Sequence, residues 1–207
     1  MQKLFALSFT FILTLFQFSQ SAFANDTGIL ILGDSLSAAH NIALDKSWPV
    51  LFRDKIRAKI PDASVINASI SGETTFGGVQ RITTLLNQHK PSHLIIELGG
   101  NDGLRGLDFE QTRNNLDTMV KSALERNITV LLIGVRMPPN LGAAYNRYFQ
   151  SLFESVVESH GIHYLPRFLE GVAASSPELM QSDGIHPTEI AQPILANRVF
   201  SAMEPLL

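Results

Sequence analysis

Short apolar runs alternate with longer helical patterns along most of this 207-residue chain. Several of the runs are almost continuously apolar, which is typical of strands buried on both faces of a parallel sheet. They predict five strands, at Gly28–Gly33, Ser64–Ala68, His93–Leu98, Ile128–Val135 and Ile162–Leu165. Because parallel strands need long crossover connections, the alternation predicts a three-layer α/β/α sandwich with helices on both faces of the sheet.

The segments between the runs carry the helical patterns. The predicted helices span Ser47–Lys59, Gly77–His89, Phe109–Arg126, Ala143–His160 and Thr188–Met203. The chain contains no internal repeat and no Pro/Gly-rich linker. Its length and pattern therefore predict a single domain over residues 25–207.

The first residues have the features of a secretory signal peptide. One cation, Lys3, precedes an apolar run from Leu4 to Phe18, and Ala22 to Ala24 form a small-x-small cleavage site. The run is shorter than the ~20 residues that a membrane-spanning helix needs, so we expect no stable membrane anchor. The prediction is a signal peptide at residues 1–24, cleavage near Ala24, and a periplasmic or secreted mature chain.

Composition excludes several classes of function. The chain has no cysteine, which rules out disulfides, thiolate catalysis and cysteine-based metal sites. Its formal charge is −3, and it has no run of basic residues that could follow a phosphate backbone, so nucleic acid is not an expected partner. We expect a monomer that acts on a small molecule.

The stretch "LILGDSLSAAH" runs from an apolar strand directly into Gly-Asp-Ser, which is typical of a phosphate loop or of a nucleophile turn. A Walker-type loop needs a second Gly and a Lys, and both are missing here. The stretch "LGGNDG" has Leu98 where a dinucleotide-binding loop needs glycine. We therefore interpret Ser35 as a nucleophile, and Asp34 as a local turn or cap residue.

A serine nucleophile needs a histidine base and a carboxylate that orients it. Among six histidines, His186 stands in "SDGIHP", where Pro187 restricts it to extended geometry and Gly184 permits a tight turn. Asp183 can then reach Nδ1 and leave Nε2 free for the Ser35 proton. The other five histidines, His40 among them, are expected at ordinary surface or core positions.

The oxyanion that forms when serine attacks a carbonyl also needs hydrogen-bond donors to stabilise it. Gly72 and Asn101 follow the second and third predicted strands, and the carboxyl ends of neighbouring parallel strands lie at one edge of the sheet. The backbone N–H groups of Ser35 and Gly72 and the amide of Asn101 are therefore the candidate donors. Glu97, in an apolar strand, is expected to be paired or at the strand's wet end, with a structural role.

Two further segments are predicted to flank the site and to bind substrate. They are the stretches "TTFGGVQ" and "RMPPNLG", with Thr75, Phe76, Gly77, Gly78, Met137, Pro138 and Pro139 as candidate residues. Gly77 and Gly78 suggest a mobile flap. The alternative is that both stretches are ordinary loops, because Gly and Pro clusters mark turns generally.

Four blocks of the sequence resemble those of the SGNH or GDSL hydrolases, in that family's order. They are "GDSLS" at Gly33–Ser37, Gly72 in "NASISGETT", "GGND" at Gly99–Asp102 and "DGIHP" at Asp183–Pro187. The stretches "ELGGNDGLRG", "MPPNLGAAYNRYF" and "DGIHPTEIAQP" further resemble the periplasmic multifunctional acyl-CoA thioesterase / lysophospholipase / arylesterase branch.

The resemblance implies a flavodoxin-like fold with strand order 2-1-3-4-5 and no metal or organic cofactor. It implies Ser35 as nucleophile, His186 as base, Asp183 as orienting acid, and Ser35, Gly72 and Asn101 as the oxyanion hole. One departure is Ala39-His40, where the branch often has Gly and an aromatic residue.

The resulting hypothesis is hydrolysis of an ester or thioester through an acyl-enzyme. The substrate classes are lysophospholipids, fatty-acyl and aryl esters, and acyl-CoA in vitro. A carbohydrate acetyl esterase would share the same Ser35 chemistry and would prefer acetyl sugars. A non-catalytic binding module would not need nucleophile, base, acid and three oxyanion donors together.

Overall fold

The computed structural model describes residues 27–173 and 176–207. The predicted signal peptide, residues 1–24, lies outside the described residues. Within the described part of the chain, none of the helices has both the length and the apolar character that a membrane crossing requires.

Five parallel strands form one sheet in the order β2-β1-β3-β4-β5. The strands are β1 (Gly28–Gly33), β2 (Ser64–Asn67), β3 (His93–Glu97), β4 (Thr129–Ile133) and β5 (His163–Leu165). The register places Leu30 of β1 beside Ile66 of β2 and Leu94 of β3. The predicted fold class and strand order are confirmed.

Helices cover both faces of the sheet. They are α1 (Trp48–Lys59), α2 (Thr75–His89), α3 (Gly100–Leu104), α4 (Phe109–Leu124), α5 (Ala143–His160) and α6 (Gln192–Met203). Helices α1 and α6 pack together, while α4 packs between α2 and α5.

The last helix begins later than predicted. A short 3-10 helix, Glu189–Ala191, comes first, and α6 then begins with Pro193 in its first turn. Proline is favoured at this position because its φ is already helical and its missing N–H has no acceptor there. The short helix α3 was not predicted.

Buried aromatic residues fix α1 against the loop that follows β1. The Trp48 ring packs edge-on against Phe52 and Phe168 and is fully buried. Its indole N–H donates to the Leu36 carbonyl at 3.0 Å. Because Leu36 directly follows Ser35, this contact ties the turn after β1 to the core.

Candidate active site

The turn after β1 presents Ser35 at the carboxyl end of the strand. The Asp34 carbonyl accepts hydrogen bonds from the N–H groups of Ser37 at 3.2 Å and Ala38 at 2.9 Å. Asp34 Oδ1 accepts from the Leu36 N–H at 3.0 Å. These bonds reverse the chain around Ser35, which lines a cavity at this edge of the sheet.

Asp183 and His186 are held by a second tight turn. One carboxylate oxygen of Asp183 accepts from the backbone N–H groups of Ile185 and His186, at 2.9 and 3.0 Å. The other lies 2.7 Å from His186 Nδ1. Gly184 has a φ of +67°, a left-handed conformation that glycine adopts without strain.

These contacts keep Asp183 ionised. Partial burial opposes ionisation, but hydrogen bonds from His186 and Ile185 outweigh it and lower the pKa of Asp183 from 3.8 to about 2. An ionised carboxylate at this position accepts the Nδ1 proton, so the lone pair of the neutral imidazole lies on Nε2.

The two turns bring Ser35 and His186 into contact. His186 Nε2 lies 2.8 Å from Ser35 Oγ, across 151 residues of sequence. Together with the Asp183–His186 bond, this completes a continuous chain of hydrogen bonds from carboxylate to hydroxyl. The structure thus brings together the three residues that the sequence predicted as nucleophile, base and acid.

Gly72 and Asn101 line the same cavity as Ser35. Gly72 has a φ of +80°, and its carbonyl accepts from Arg105 Nη2 at 2.9 Å. Asn101 lies in the first turn of α3, directly after β3. Its side-chain nitrogen donates to Asp34 Oδ2 and to the Glu73 carbonyl, both at 3.0 Å. The three residues predicted to supply oxyanion donors thus line one cavity, and both Asn101 amide hydrogens are already engaged.

Asp34 is more than the turn residue that the sequence predicted. It is 2% exposed, and it joins the Ser35 turn to Asn101. Burial, the dominant effect, raises its pKa from 3.8 to about 6. The sequence could not reveal this contact because Asn101 is 67 residues away.

Glu97 lies beneath this turn and is fully buried. Its Oε2 accepts from Ser37 Oγ at 2.7 Å and from the Asp34 N–H at 3.4 Å. Its Oε1 has no hydrogen-bond partner among the residues that the structure describes. Burial, reinforced by the nearby Asp34 charge, raises the pKa of Glu97 well above its ordinary value. Glu97 is thus hydrogen-bonded through Oε2 alone among the described residues.

The cavity has a volume of about 830 Å³, within the range of small-molecule sites. Much of its wall is apolar, with side chains from the loops after β1, β3 and β4 and from the segment that precedes His186. The apolar lining residues are Leu36, Leu104, Val135, Met137, Pro138, Pro139, Leu169, Ala173, Met180 and Ile185.

The structure separates the two segments that were predicted to bind substrate. Met137, Pro138 and Pro139 line the cavity. The other predicted residues, Thr75, Phe76, Gly77 and Gly78, are not among the described residues that line it.

These four residues form the first turn of α2 and not a loop. Thr74 caps the helix by accepting from the Gly77 N–H. Thr75 is buried, and its hydroxyl donates to Asp102 Oδ1 at 2.5 Å. Gly78 is buried against Leu98 and Met119. Gly78 thus permits close packing of α2 against the core.

His40 was not predicted to belong to the site. Its ring centroid lies 4.1 Å from that of His186, and it lines the cavity. The neighbouring residues Ala39 and Asn41 both have positive φ, 59° and 55°, which turns the backbone around His40. The departure at Ala39-His40 from the resembled branch is the sequence signal that could have identified it.

Known proteins are similar to this chain in sequence and in fold. The chain is 41% identical over 186 residues to the Escherichia coli K12 protein named thioesterase 1/protease 1/lysophospholipase L1, covering 90% of this chain and 87% of that one. It is 41% identical to the Vibrio mimicus arylesterase, covering 83% and 85% of the two chains.

The crystal structure of TesA superposes with a TM-score of 0.85 at 40% identity, covering 87% of this chain and 100% of that chain. The sequence model of one hydrolase family spans residues 31–192, from within β1 to the start of α6, and so includes every residue of the site described above. This chain therefore belongs to the GDSL-like lipase/acylhydrolase family.

Proposed function

We propose that this chain is a serine esterase that hydrolyses carboxylic esters and thioesters through an acyl-enzyme. The observation that carries the proposal is the Ser35 Oγ to His186 Nε2 contact of 2.8 Å. It lies at a largely apolar cavity and is backed by the Asp183 carboxylate at 2.7 Å from Nδ1.

The proposed reaction has two steps. In the first, Nε2 of His186 takes the Ser35 proton as Oγ attacks the substrate carbonyl, and it then returns that proton to the departing alcohol or thiol. In the second, His186 takes a proton from the water that attacks the acyl-enzyme, and it then gives that proton to Ser35 Oγ as the acid is released. Asp183 stays ionised throughout and stabilises the imidazolium. No step uses a metal or an organic cofactor.

The oxyanion is stabilised by the backbone N–H groups of Ser35 and Gly72 and by the Asn101 amide. Each Asn101 amide hydrogen has an acceptor, Asp34 or the Glu73 carbonyl. The oxyanion carries more charge than a carbonyl, so it competes for the hydrogen that Glu73 accepts. Asp34 still accepts the hydrogen bond from the other amide hydrogen, and this bond fixes the orientation of the amide.

The apolar wall supports acyl or aryl groups as the part of the substrate that is recognised. Met137, Pro138 and Pro139 supply part of that wall and would contact the acyl chain. The names of the relatives, which include thioesterase, lysophospholipase and arylesterase, agree with this range. We therefore propose lysophospholipids, fatty-acyl esters and aryl esters as substrates, with acyl-CoA hydrolysed in vitro.

We also propose that the chain is exported, with residues 1–24 removed and residues 25–207 acting as a single-domain monomer in the periplasm or outside the cell. Acyl-CoA is cytoplasmic, so an exported chain would meet lysophospholipids and esters as its substrates. Fractionation of expressing cells, with N-terminal sequencing and gel filtration of the exported form, tests this. An uncleaved cytoplasmic chain would contradict it.

The activity is tested with p-nitrophenyl esters from acetyl to palmitoyl and with acetylated sugars. The mature chain is compared with Ser35→Ala and with Ser159→Ala, which removes a hydroxyl at the carboxyl end of α5. The carboxyl end of α5 leads into the start of β5, so Ser159 lies near the amino ends of the strands, whereas the cavity lies at their carboxyl ends.

We expect hydrolysis that peaks at medium or long chains, persists in Ser159→Ala and disappears in Ser35→Ala. A preference for acetyl sugars would indicate a carbohydrate acetyl esterase instead. A folded but inactive parent would favour a binding module, and a Ser35→Ala variant as active as the parent would show that Ser35 is not the nucleophile.

A further inference from the structure

We propose that His40, Asp183 and His186 form a binding site for Zn²⁺, and that the bound ion inhibits the enzyme. Each of the three residues offers one ligand atom, and these atoms all lie within 4.8 Å of one another. His40 is not needed by the proposed hydrolysis, so its position over the His186 ring calls for a separate explanation.

One side chain holds together the two backbone segments that carry the histidine rings. The Gln181 side-chain nitrogen donates to the His40 carbonyl at 2.9 Å and to the Pro187 carbonyl at 3.0 Å. It therefore ties the segment after the Ser35 turn to the segment that carries His186. The rings are tilted by 31° at a centroid separation of 4.1 Å.

The ligand set fits zinc. Two imidazoles and one carboxylate form a recurring three-ligand zinc set, in which the fourth position is open to water. A tetrahedral ion with Zn–N bonds of about 2.1 Å holds its ligand atoms about 3.4 Å apart. Small side-chain rotations bring atoms from within 4.8 Å to that spacing. His40 and His186 line the cavity, and the Asp183 side chain is 38% exposed, which gives an ion access from solvent.

Zn²⁺ binding would prevent His186 from acting as the base. A neutral imidazole has one nitrogen lone pair, and the other nitrogen carries a proton. An ion held by His186 takes that lone pair whichever nitrogen it uses, so no acceptor remains for the Ser35 proton. Inhibition thus rests on the proposed function, whereas binding itself does not.

Direct binding is measured first, by calorimetric titration of ZnCl₂ into the metal-free mature chain and its Ser35→Ala variant. We expect one ion per chain in both. His40→Phe keeps a flat ring beside His186 and deletes the ligand, and Asp183→Asn replaces the anionic ligand. Loss of an outer-shell partner of a zinc ligand already weakens binding about 10–100-fold, so we expect at least about a tenfold loss in each variant.

Two controls identify the ligands and the metal class. His163 is exposed at the start of β5, at the opposite edge of the sheet, so His163→Phe should bind Zn²⁺ like the parent. Mg²⁺ prefers oxygen ligands and should neither bind nor compete. Equal Zn²⁺ affinity in His40→Phe and the parent, or absence of saturable binding, would overturn the site.

Inhibition is measured on p-nitrophenyl butyrate, with each variant compared with its own rate in EDTA. We expect Zn²⁺ to inhibit the parent reversibly, and the half-inhibitory concentration to rise at least about tenfold in His40→Phe. Binding without inhibition of an active parent would overturn the inhibitory role. A chain that binds Zn²⁺ but hydrolyses no ester would overturn the proposed function and leave the metal site standing.

Discussion

The side-chain nitrogen of Asn101 donates to Asp34 Oδ2 over 3.0 Å, so one buried carboxyl group joins the nucleophile turn to a proposed oxyanion donor. The other oxygen of Asp34 accepts from the Leu36 N–H in the Ser35 turn. A displacement of Asp34 would therefore move the Ser35 turn and the Asn101 amide together. This coupling is the basis of the first prediction.

Replacement of Asn101 by alanine should lower kcat by about 10²–10³, the usual effect of removing one oxyanion donor. It also removes a donor from buried Asp34, which should lower the free energy of unfolding by about 1–3 kcal/mol without preventing folding. The measurements are ester hydrolysis and urea unfolding, with the exposed Asn114→Ala on α4 as control. Near-normal turnover in Asn101→Ala would remove Asn101 from the oxyanion hole.

Replacement of Asp183 by asparagine should switch His186 to its other neutral tautomer, with the proton on Nε2. The Asp183 oxygen that accepts from the Ile185 and His186 N–H groups must remain an oxygen, which leaves the new NH₂ group facing Nδ1. Nδ1 must then accept, so the proton moves to Nε2, which no longer accepts from Ser35. In a triad of this kind the wrong tautomer lowers kcat by about 10⁴.

The matched control for this change is Asp62→Asn, at an exposed carboxylate. We expect it to keep the parent's kcat in the same ester assay. A loss of less than about tenfold in Asp183→Asn would show that Asp183 does not set the His186 tautomer.

Local patterns predicted what depends on local chemistry. Strands β1, β3 and β4 follow from almost continuous apolar runs, and the Asp183–His186 turn follows from the restrictions that Gly184 and Pro187 impose within four residues. The contact between Asp34 and Asn101, which are 67 residues apart, left no such trace.

The first turn of α2 lies where the sequence suggested a flap. Gly77 and Gly78 have high intrinsic flexibility, and the sequence alone does not show what packs against them. In the structure Leu98 and Met119 occupy the space where a Gly78 side chain would lie. Packing therefore overrides the local preference.

Replacement of Glu97 by glutamine should flatten the dependence of stability on pH. The pKa of Glu97 is raised in the folded state, so above its ordinary value of 4.5 the folded chain binds more protons than the unfolded chain. The free energy of unfolding of the parent therefore falls as pH rises, and Asp34 adds a fall in the same direction between 3.8 and about 6. Glutamine has no proton to lose.

This is measured by urea unfolding from about pH 5 to about pH 8, with Glu125→Gln as an exposed control. We expect the stability of Glu97→Gln relative to the parent to increase with pH, while Glu125→Gln follows the parent. Parallel curves for Glu97→Gln and the parent would mean that Glu97 is ionised in the folded chain as it is in the unfolded one.

Replacement of Gly78 by alanine should destabilise the fold, in contrast to the same change at Gly77. A Cβ at Gly78 would lie 2.6 Å from Leu98 Cδ1 and 2.7 Å from Met119 Sδ, and both neighbours are buried in the core. Overpacking of this kind costs about 1–3 kcal/mol. At Gly77 the nearest atom is Glu73 Oε1 at 3.0 Å, and a small shift of that side chain is offset by the helix preference for alanine, about 1 kcal/mol.

Urea unfolding of the two variants measures the difference, and ester hydrolysis reports on the site. We expect Gly77→Ala to stay within about 1 kcal/mol of the parent, Gly78→Ala to lose about 1–3 kcal/mol, and KM to change little in both. A flexible flap would behave in the opposite way, because stiffening it with alanine would alter KM and leave stability unchanged. Equal stability of the two variants with a raised KM would therefore restore the flap and contradict the packed first turn of α2.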